Sequence, residues 1–323
     1  MTRMMRLTIA AGALTLAAGS VCGQDKFPNK PIRMLIPFSA GSATDFFARA
    51  VGQKMSENWG QQVVVDNRPS AGGVIASELL LSAAADGHTL MMVSIGHAVN
   101  ASLYSKLPYD TVRDFSGVTL VADVPNVLIA TPSLGLKSVK DLIELVKSKP
   151  GQFNYGSAGV GSGTHMNGEQ FKLAANLNVV HVPFKGTPEA ITNVIGGNVQ
   201  YFFAPIMAAV PQVKGGKVTG LAVTTRTRSP VLPDLTTVAE SGIPGFDFNL
   251  WTGLVASSKV PKNIKDKIAG ETARIIALPE MKERFLVQGA TPHSMPPEQF
   301  DGFIKAEVER LAKVVKASGA RAD

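Results

Sequence analysis

The sequence predicts an α/β fold of parallel strand layers, and three observations carry that reading. Short apolar segments of strand length alternate with amphipathic helical segments through most of the chain, which is the pattern of βα units. The 323 residues are 45% hydrophobic, enough to bury the cores of two domains. From residue 262 onward the apolar period becomes that of helix alone.

Residues 1–23 stand apart from this pattern. Arg3 and Arg6 precede the apolar run LTIAAGALTLAAGSV, and VCGQD offers small residues for cleavage, so the segment reads as a secretory signal peptide. A retained membrane helix and lipidation at Cys22 are the alternatives. Cleavage before Gln24 leaves 300 residues, removes the only cysteine, and with Arg3 and Arg6 lowers the net charge from +7 to +5. A cysteine-free chain suits an oxidising periplasm. The remaining positive charge is scattered, without a Lys/Arg block or a basic and aromatic stripe, which argues against nucleic acid as a partner.

Seven strand candidates follow in order: IRMLIPF (32–38), QVVVDN (62–67), TLMMVS (89–94), NVLIAT (126–131), VVHVPF (179–184), VQYFFA (199–204) and GLAVTT (220–225). The helical tail comprises NIKDKIAGETARII, PEMKERFLVQG and PPEQFDGFIKAEVERLAKVVKASG, the last with an apolar face of Phe300, Phe303, Ile304, Leu311, Val314 and Val315.

What happens after the strands bears on function. The first strand runs into Ser39, Ala40, Gly41 and Ser42, then Asp45 and a helix with Phe47, Ala50, Val51 and Met55 inward. NYGSAGVGSGTHMNGEQF repeats the design with Ser157, Ala158, Gly159, Gly161 and Ser162 before His165. In VPFKGTPEAITNVIGG, Thr187 is expected to cap a third helix, with Pro188 at its first position. Such loops present N–H donors and hydroxyls at the positive end of a helix dipole, so they suit a carboxylate or phosphate. For one loop alone, capping and tight turning explain the same residues. Two loops of this kind, each after a strand, favour a shared cleft between two domains.

Enzymatic patterns are absent or broken. GVGSG lacks the first glycine of a G-x-S-x-G elbow, because Val160 stands there, and GVGSGT fails G-x-G-x-x-G at Thr164. His88, His97, His165, His181 and His293 show no short metal-ligand spacing, so neither a metal nor another cofactor is expected.

The order KPIRMLIPFSAGSATDFFAR, VVVDNRPSAGGVIA, AAADGHTLMM, NYGSAGVGSGTHMNGEQF, HVPFKGTPEAI, KVTGLAVTTRTRSPVLPDLTTVAESGIPGF and WTGLVA resembles the tripartite tricarboxylate transporter substrate-binding proteins, the Bug or TctC family of periplasmic solute receptors. The resemblance spans nearly the whole chain after the signal segment. It implies a type II periplasmic-binding-protein fold of two α/β domains with a ligand cleft between them. Domain 1 would comprise residues 24–126 and 248–323, and domain 2 residues 127–247. It further implies a monomer that binds a small organic carboxylate, passes it to membrane permease subunits, and catalyses nothing. Carried onto this chain, the ligand-binding positions are Phe38, Ser39, Ala40, Gly41, Ser42, Asp45, Ser157, Ala158, Gly159, Gly161, Ser162 and His165.

Three departures bear on the ligand. Ser42 stands where many relatives have a second glycine, Phe184 replaces a usual tyrosine, and Ala204 stands where relatives commonly have aspartate. A wall at Ala204 without negative charge suits a mono- or dicarboxylate, aromatic ones such as terephthalate included, better than an ammonium group. Two other readings stay open at this level. One is a secreted hydrolase using Ser157 or Ser162 with His165; the other is a ligand sensor for a membrane kinase.

Overall fold

The computed structural model describes residues 27–322, so the signal-peptide and Cys22 readings lie outside the described residues. In chain order the elements are β1 (Ile32–Ile36), α1 (Ala43–Trp59), β2 (Val63–Asn67), α2 (Val74–Ser82), β3 (Thr89–Ser94), α3 (Gly96–Leu103) and β4 (Phe115–Ala130). The middle of the chain adds α4 (Val139–Ser148), β5 (Asn154–Ser157), α5 (Gly163–Ala175), β6 (Val180–Pro183), α6 (Thr187–Ile195), β7 (Tyr201–Pro205), α7 (Ile206–Lys214) and β8 (Thr219–Val223). It ends with β9 (Asn249–Ser257), α8 (Lys262–Ala277), α9 (Pro279–Val287), β10 (Thr291–Pro292) and α10 (Pro297–Ser318).

The main path through the strands is β2-β1-β3-β9-β4-β7-β5-β6, with β8 and β10 also paired to β4. Parallel pairing holds β2, β1 and β3 together on one side and β6, β5 and β7 on the other. Strand β4 serves both sides. Its residues Phe115–Pro125 pair antiparallel with β9, and Asn126–Ala130 pair with β7 and β8. Two α/β halves therefore share one long strand, with β9 beside it.

The interior is built on the central strands β1, β3 and β7, which are buried almost throughout, while the edge strands β2 and β6 are half-buried to exposed. Ile32, Met34, Leu35 and Ile36 of β1 are buried in the same core as Phe47, Val51 and Met55 of α1. In the other half, Phe171 of α5 meets Tyr201 and Phe203 of β7 at ring separations of 6.1 and 5.2 Å. The terminal helix α10 returns to pack on α3 and β4.

The main departure from the expected elements is the length of β4, of which sequence periodicity showed only the end. Gly117, Asp123 and Pro125 interrupt the pattern, and two register shifts against β9 absorb the irregularity. Phe300 of α10 presses on Gly117 from the tertiary side.

Candidate ligand site

The carboxyl ends of β1, β3, β5, β6 and β7 lead into the starts of α1, α3, α5, α6 and α7. Unpaired amides and partial positive charge gather at such ends, which is why open α/β sheets bind ligands there. The two halves bring these ends together around an inner cavity. Ser42, Ala43 and Thr44 line it from α1, Ser162, Gly163 and Thr164 from α5, and Gly186 and Thr187 from α6. Val124 of β4 and Leu250, Trp251 and Thr252 of β9 complete the wall with Ser94, Ile95 and Pro205. No Asp, Glu, Lys or Arg lines this cavity among the described residues.

Ser42 caps α1 with extended backbone (φ −70°, ψ 161°), its hydroxyl accepting from the Asp45 N–H at 3.2 Å. Asp45 is buried and turned back into the loop. Its carboxylate accepts from the Gly41 N–H at 3.0 Å, Arg49 Nε at 3.0 Å and Asn67 Nδ2 at 2.9 Å. Asn67 also donates to the Phe38 carbonyl at 3.0 Å, so one carboxylate and one amide fix the whole loop. Burial on its own would raise the Asp45 pKa, but hydrogen bonds from Arg49, Gly41 and Asn67 outweigh it and hold the pKa below its ordinary value. Gly41 sits at φ +80°, which glycine adopts without a steric penalty. With the Asp45 amide capped, the Ala43 and Thr44 amides of this turn have no acceptor among the described residues.

The second loop is built the same way. Ser162 caps α5 by accepting from the His165 N–H at 3.2 Å. The Ala158 N–H donates to Thr164 Oγ1 at 2.9 Å, the Gly159 N–H to Ser157 Oγ at 3.1 Å, and the Gly161 N–H to His165 Nδ1 at 3.1 Å. Three amides expected to face a ligand are thus engaged inside the loop, whereas the Gly163 and Thr164 amides at the start of α5, and that of Val160 in the loop, have no acceptor among the described residues. Gly163 has a second reason to be glycine, since a Cβ there would overlap Ile95 at the start of α3 and Leu250 of β9.

Behind this loop lies a histidine pair, His165 buried and His181 half-buried. His165 and His181 stack with ring centroids 3.9 Å apart, and His181 Nε2 meets Ser157 Oγ at 2.6 Å. Because His165 Nδ1 accepts from an amide, its neutral ring carries the proton on Nε2, 4.0 Å from Glu169. Burial pushes the His165 pKa down to about 4; burial and its histidine neighbour push His181 down to about 3. Glu169 is held by the Tyr155 hydroxyl at 2.5 Å and Lys172 Nζ at 2.9 Å. The hydrolase reading required Ser157 or Ser162 on His165. Instead Ser157 is fully buried against His181, and the Ser162 hydroxyl pairs with Thr164 at 2.9 Å.

The third helix begins one residue differently from the sequence expectation. Gly186 occupies the cap position with no side-chain bond, and Thr187 and Pro188 are the first two helical residues. Glu189 reaches back instead, its Oε2 accepting from the Lys185 N–H at 2.9 Å.

Of the sequence-derived positions, Phe38, Ser42, Ala158 and Ser162 line the inner cavity. Ser39, Gly159 and Gly161 line an outer cavity, which Phe38, Ala158 and Ser162 also border. Ala40 and Gly41 are exposed on the loop, and Asp45, Ser157 and His165 stand behind the two loops. Ala204 is buried in β7 opposite Val127, and its neighbour Pro205 reaches the cavity. Sequence reasoning did not assign Thr44, Ser94, Gly163, Thr164, Thr187 or the β9 residues. Their signal was partly available, because the first amides after any helix cap lack an intrahelical partner. Val124, Leu250, Trp251 and Thr252 had no local signal at all.

Comparison with known proteins gives a consistent result. The model of the tripartite tricarboxylate transporter family receptor matches residues 47–320. Protein BugT of Bordetella pertussis is 34% identical, over 98% of this chain and 99% of its own. A UPF0065 protein from the tcbD-tcbE intergenic region of Pseudomonas sp. (strain P51) is also 34% identical, over 96% and 93%. Among solved structures, R. palustris Rpa4515 with adipate has a TM-score of 0.88 at 32% identity, covering 91% of this chain and 99% of that one. MatC from Rhodopseudomonas palustris with bound malate has a TM-score of 0.83 at 30% identity, covering 90% and 100%.

Proposed function

The chain belongs to the tripartite tricarboxylate transporter receptors, which are periplasmic solute-binding proteins and not enzymes, and from that premise we propose that it captures a small organic carboxylate in its inner cavity. One observation carries the reading. The free amides of Ala43, Thr44, Gly163 and Thr164 surround a cavity that holds no charged side chain of either sign. Neutral donors at helix N-termini hold an anion without burying a fixed cation, and a cavity closed to water strengthens each bond. The hydroxyls of Thr44, Ser94 and Thr187, which have no protein partner among the described residues, add donors to the same wall. An ammonium group would find no counter-charge there.

The relatives holding adipate and malate support an acid as the solute class. Within that class we favour a mono- or dicarboxylate, aliphatic or aromatic, terephthalate among them. The capture would occur between domain 1 (24–126 and 248–323) and domain 2 (127–247), in a monomer exported through its N-terminal signal peptide. The acid would then pass to the permease of a tripartite tricarboxylate-type transporter. Among the described residues, no helix is long and apolar enough to cross a membrane.

Calorimetric titration with adipate, malate, terephthalate and glutamate tests the reading, with the emission of Trp251 in the cavity wall as a second signal. At least one acid without an ammonium group should bind. Replacing Thr44 and Thr187 together by valine should weaken that acid by about 1.5–3 kcal/mol for each charge-assisted hydrogen bond lost. Binding of glutamate alone, or of nothing, would refute it.

A further inference from the structure

The chain passes between the halves within β4 and again just before β9, and the two passages meet at Thr224. The Thr224 N–H donates to the Asn126 carbonyl at 3.0 Å and its hydroxyl to the Phe248 carbonyl at 2.7 Å, while the Phe248 N–H donates back to Thr224 at 2.9 Å. The backbone of Phe248 is thereby tied to the second half. Its ring is held from the first, by the guanidinium of Arg310 on α10, 5.6 Å from the ring centroid. Arg310 is itself fixed by the buried carboxylate of Glu307, to which it donates from Nε at 2.6 Å and from Nη2 at 2.9 Å. The same carboxylate accepts from Trp251 Nε1 of β9 at 2.9 Å, and the indole lies edge-on to Phe300 and Phe303 of α10. Helix α10 thus grips the second passage at Phe248 and at Trp251, and it packs on α5 of the second half as well as on α3 and β4 of the first.

A buried indole needs one acceptor, which a neutral amide supplies as well as a carboxylate. A buried carboxylate is costly unless it is paired, and its pair here, Arg310, is the group that reaches Phe248. The halves are closed on one another in this structure, since a Cβ on Gly161 would overlap Leu103 of α3 and one on Gly186 would overlap the Ser39 hydroxyl. Resting on the capture reading above, we propose that Glu307 is a positioning residue for closure, which holds the second passage through Arg310 and so favours the closed arrangement of the two halves. Apparent affinity scales with the closed population, so loss of this hold weakens every ligand by one factor.

The test is small-angle X-ray scattering and calorimetry on Glu307→Gln, Arg310→Gln and the double variant, with circular dichroism showing that each is folded. Glu307→Gln keeps an acceptor for Trp251 and loses the ion pair. Each variant should weaken whichever of adipate, malate and terephthalate bind by a common factor, about three- to thirtyfold for a part-exposed ion pair and a cation–π contact together. The double variant should be no weaker than either single one. Before acid is added, the variants should have a larger radius of gyration than the native protein, and saturation should bring all of them to one value. A carboxylate that only satisfies the indole would leave both readouts of Glu307→Gln at their native values, and that result would overturn the inference. A factor that differs from acid to acid would overturn it too, because Glu307 would then act on contacts inside the site. If no acid binds, the carboxylate reading fails and scattering alone decides this inference, with an unchanged radius in Glu307→Gln against it and a larger one for it.

Discussion

Gly163 joins the anion-binding turn to the closure of the cleft, so its replacement by alanine gives a sharp prediction. The added Cβ would overlap the Cγ2 methyl of Ile95, fixed to its β-carbon, and the Cδ2 methyl at the end of Leu250. Ile95 begins α3 in the first half, Leu250 lies in β9, and Gly163 begins α5 in the second half. Overpacking of a well-packed contact costs about 1–3 kcal/mol. The least costly relief is separation of α5 from α3 and β9, which opens the cavity and moves the Gly163 and Thr164 amides away from an anion. If closure bears the whole cost, affinity falls by about five- to 150-fold at 1.4 kcal/mol per decade. Calorimetry on Gly163→Ala with an acid that binds the native protein measures this directly. Gly270→Ala is the control, since nothing lies within 4 Å of its Cβ and alanine favours helix α8 by about 0.8–1 kcal/mol. An unchanged Kd in Gly163→Ala would refute the coupling between this contact and the site.

Other outcomes follow from the same geometry. Ser162→Ala removes the cap of α5 and a partner of Thr164, and should lower stability by about 0.5–2 kcal/mol, read as a shift in urea midpoint. Ser157→Ala leaves His181 Nε2 and the Gly159 N–H without that hydroxyl, costing about 1–3 kcal/mol of stability with little change in acid affinity. A loss of affinity at full stability would place Ser157 in the site instead. His97, pushed down to about 4 by burial, joins His165 and His181 in making the fold acid-sensitive. Below pH 6.5 the unfolded chain binds protons that these buried rings refuse, so their contribution is complete above that pH and is lost as pH falls toward 4. Urea titrations between pH 7.5 and 4.5 should show the decline, and a flat profile would contradict it. Asp45, whose pKa is lowered, contributes in a more acidic window and loses its share as pH falls through its folded value.

How much of this was legible in the chain depends on how local each signal is. Strands β1 and β3 were readable because burial on both faces turns them into apolar runs, and the edge strand β2, half-buried to exposed, was readable from its three consecutive valines. The caps Ser42 and Ser162 were readable as well, since a hydroxyl three residues before an orphan amide is a local arrangement. The partners of the loop donors were harder to see. Asp45 reads from sequence as a ligand-binding position, and the partners that turn it back into the loop are not its immediate neighbours: Asn67 comes from the end of β2 and Arg49 from the next turn of α1. His181, which takes the Ser157 hydroxyl, is 24 residues away in β6.

Taken alone, the sequence determined the α/β class, the two capped loops after strands, and the family to which their order points. These are properties of short segments, where spacing, capping and apolar period act within a few residues of one another. Tertiary structure decided which donors remain for a ligand. Backbone amides are interchangeable in sequence, and only folding shows that Gly41, Ala158, Gly159 and Gly161 donate within their own loops, while Ala43, Thr44, Gly163 and Thr164 do not. It also supplied Val124, Leu250, Trp251 and Thr252, because strands far apart in the chain become neighbours only when β4 and β9 pair.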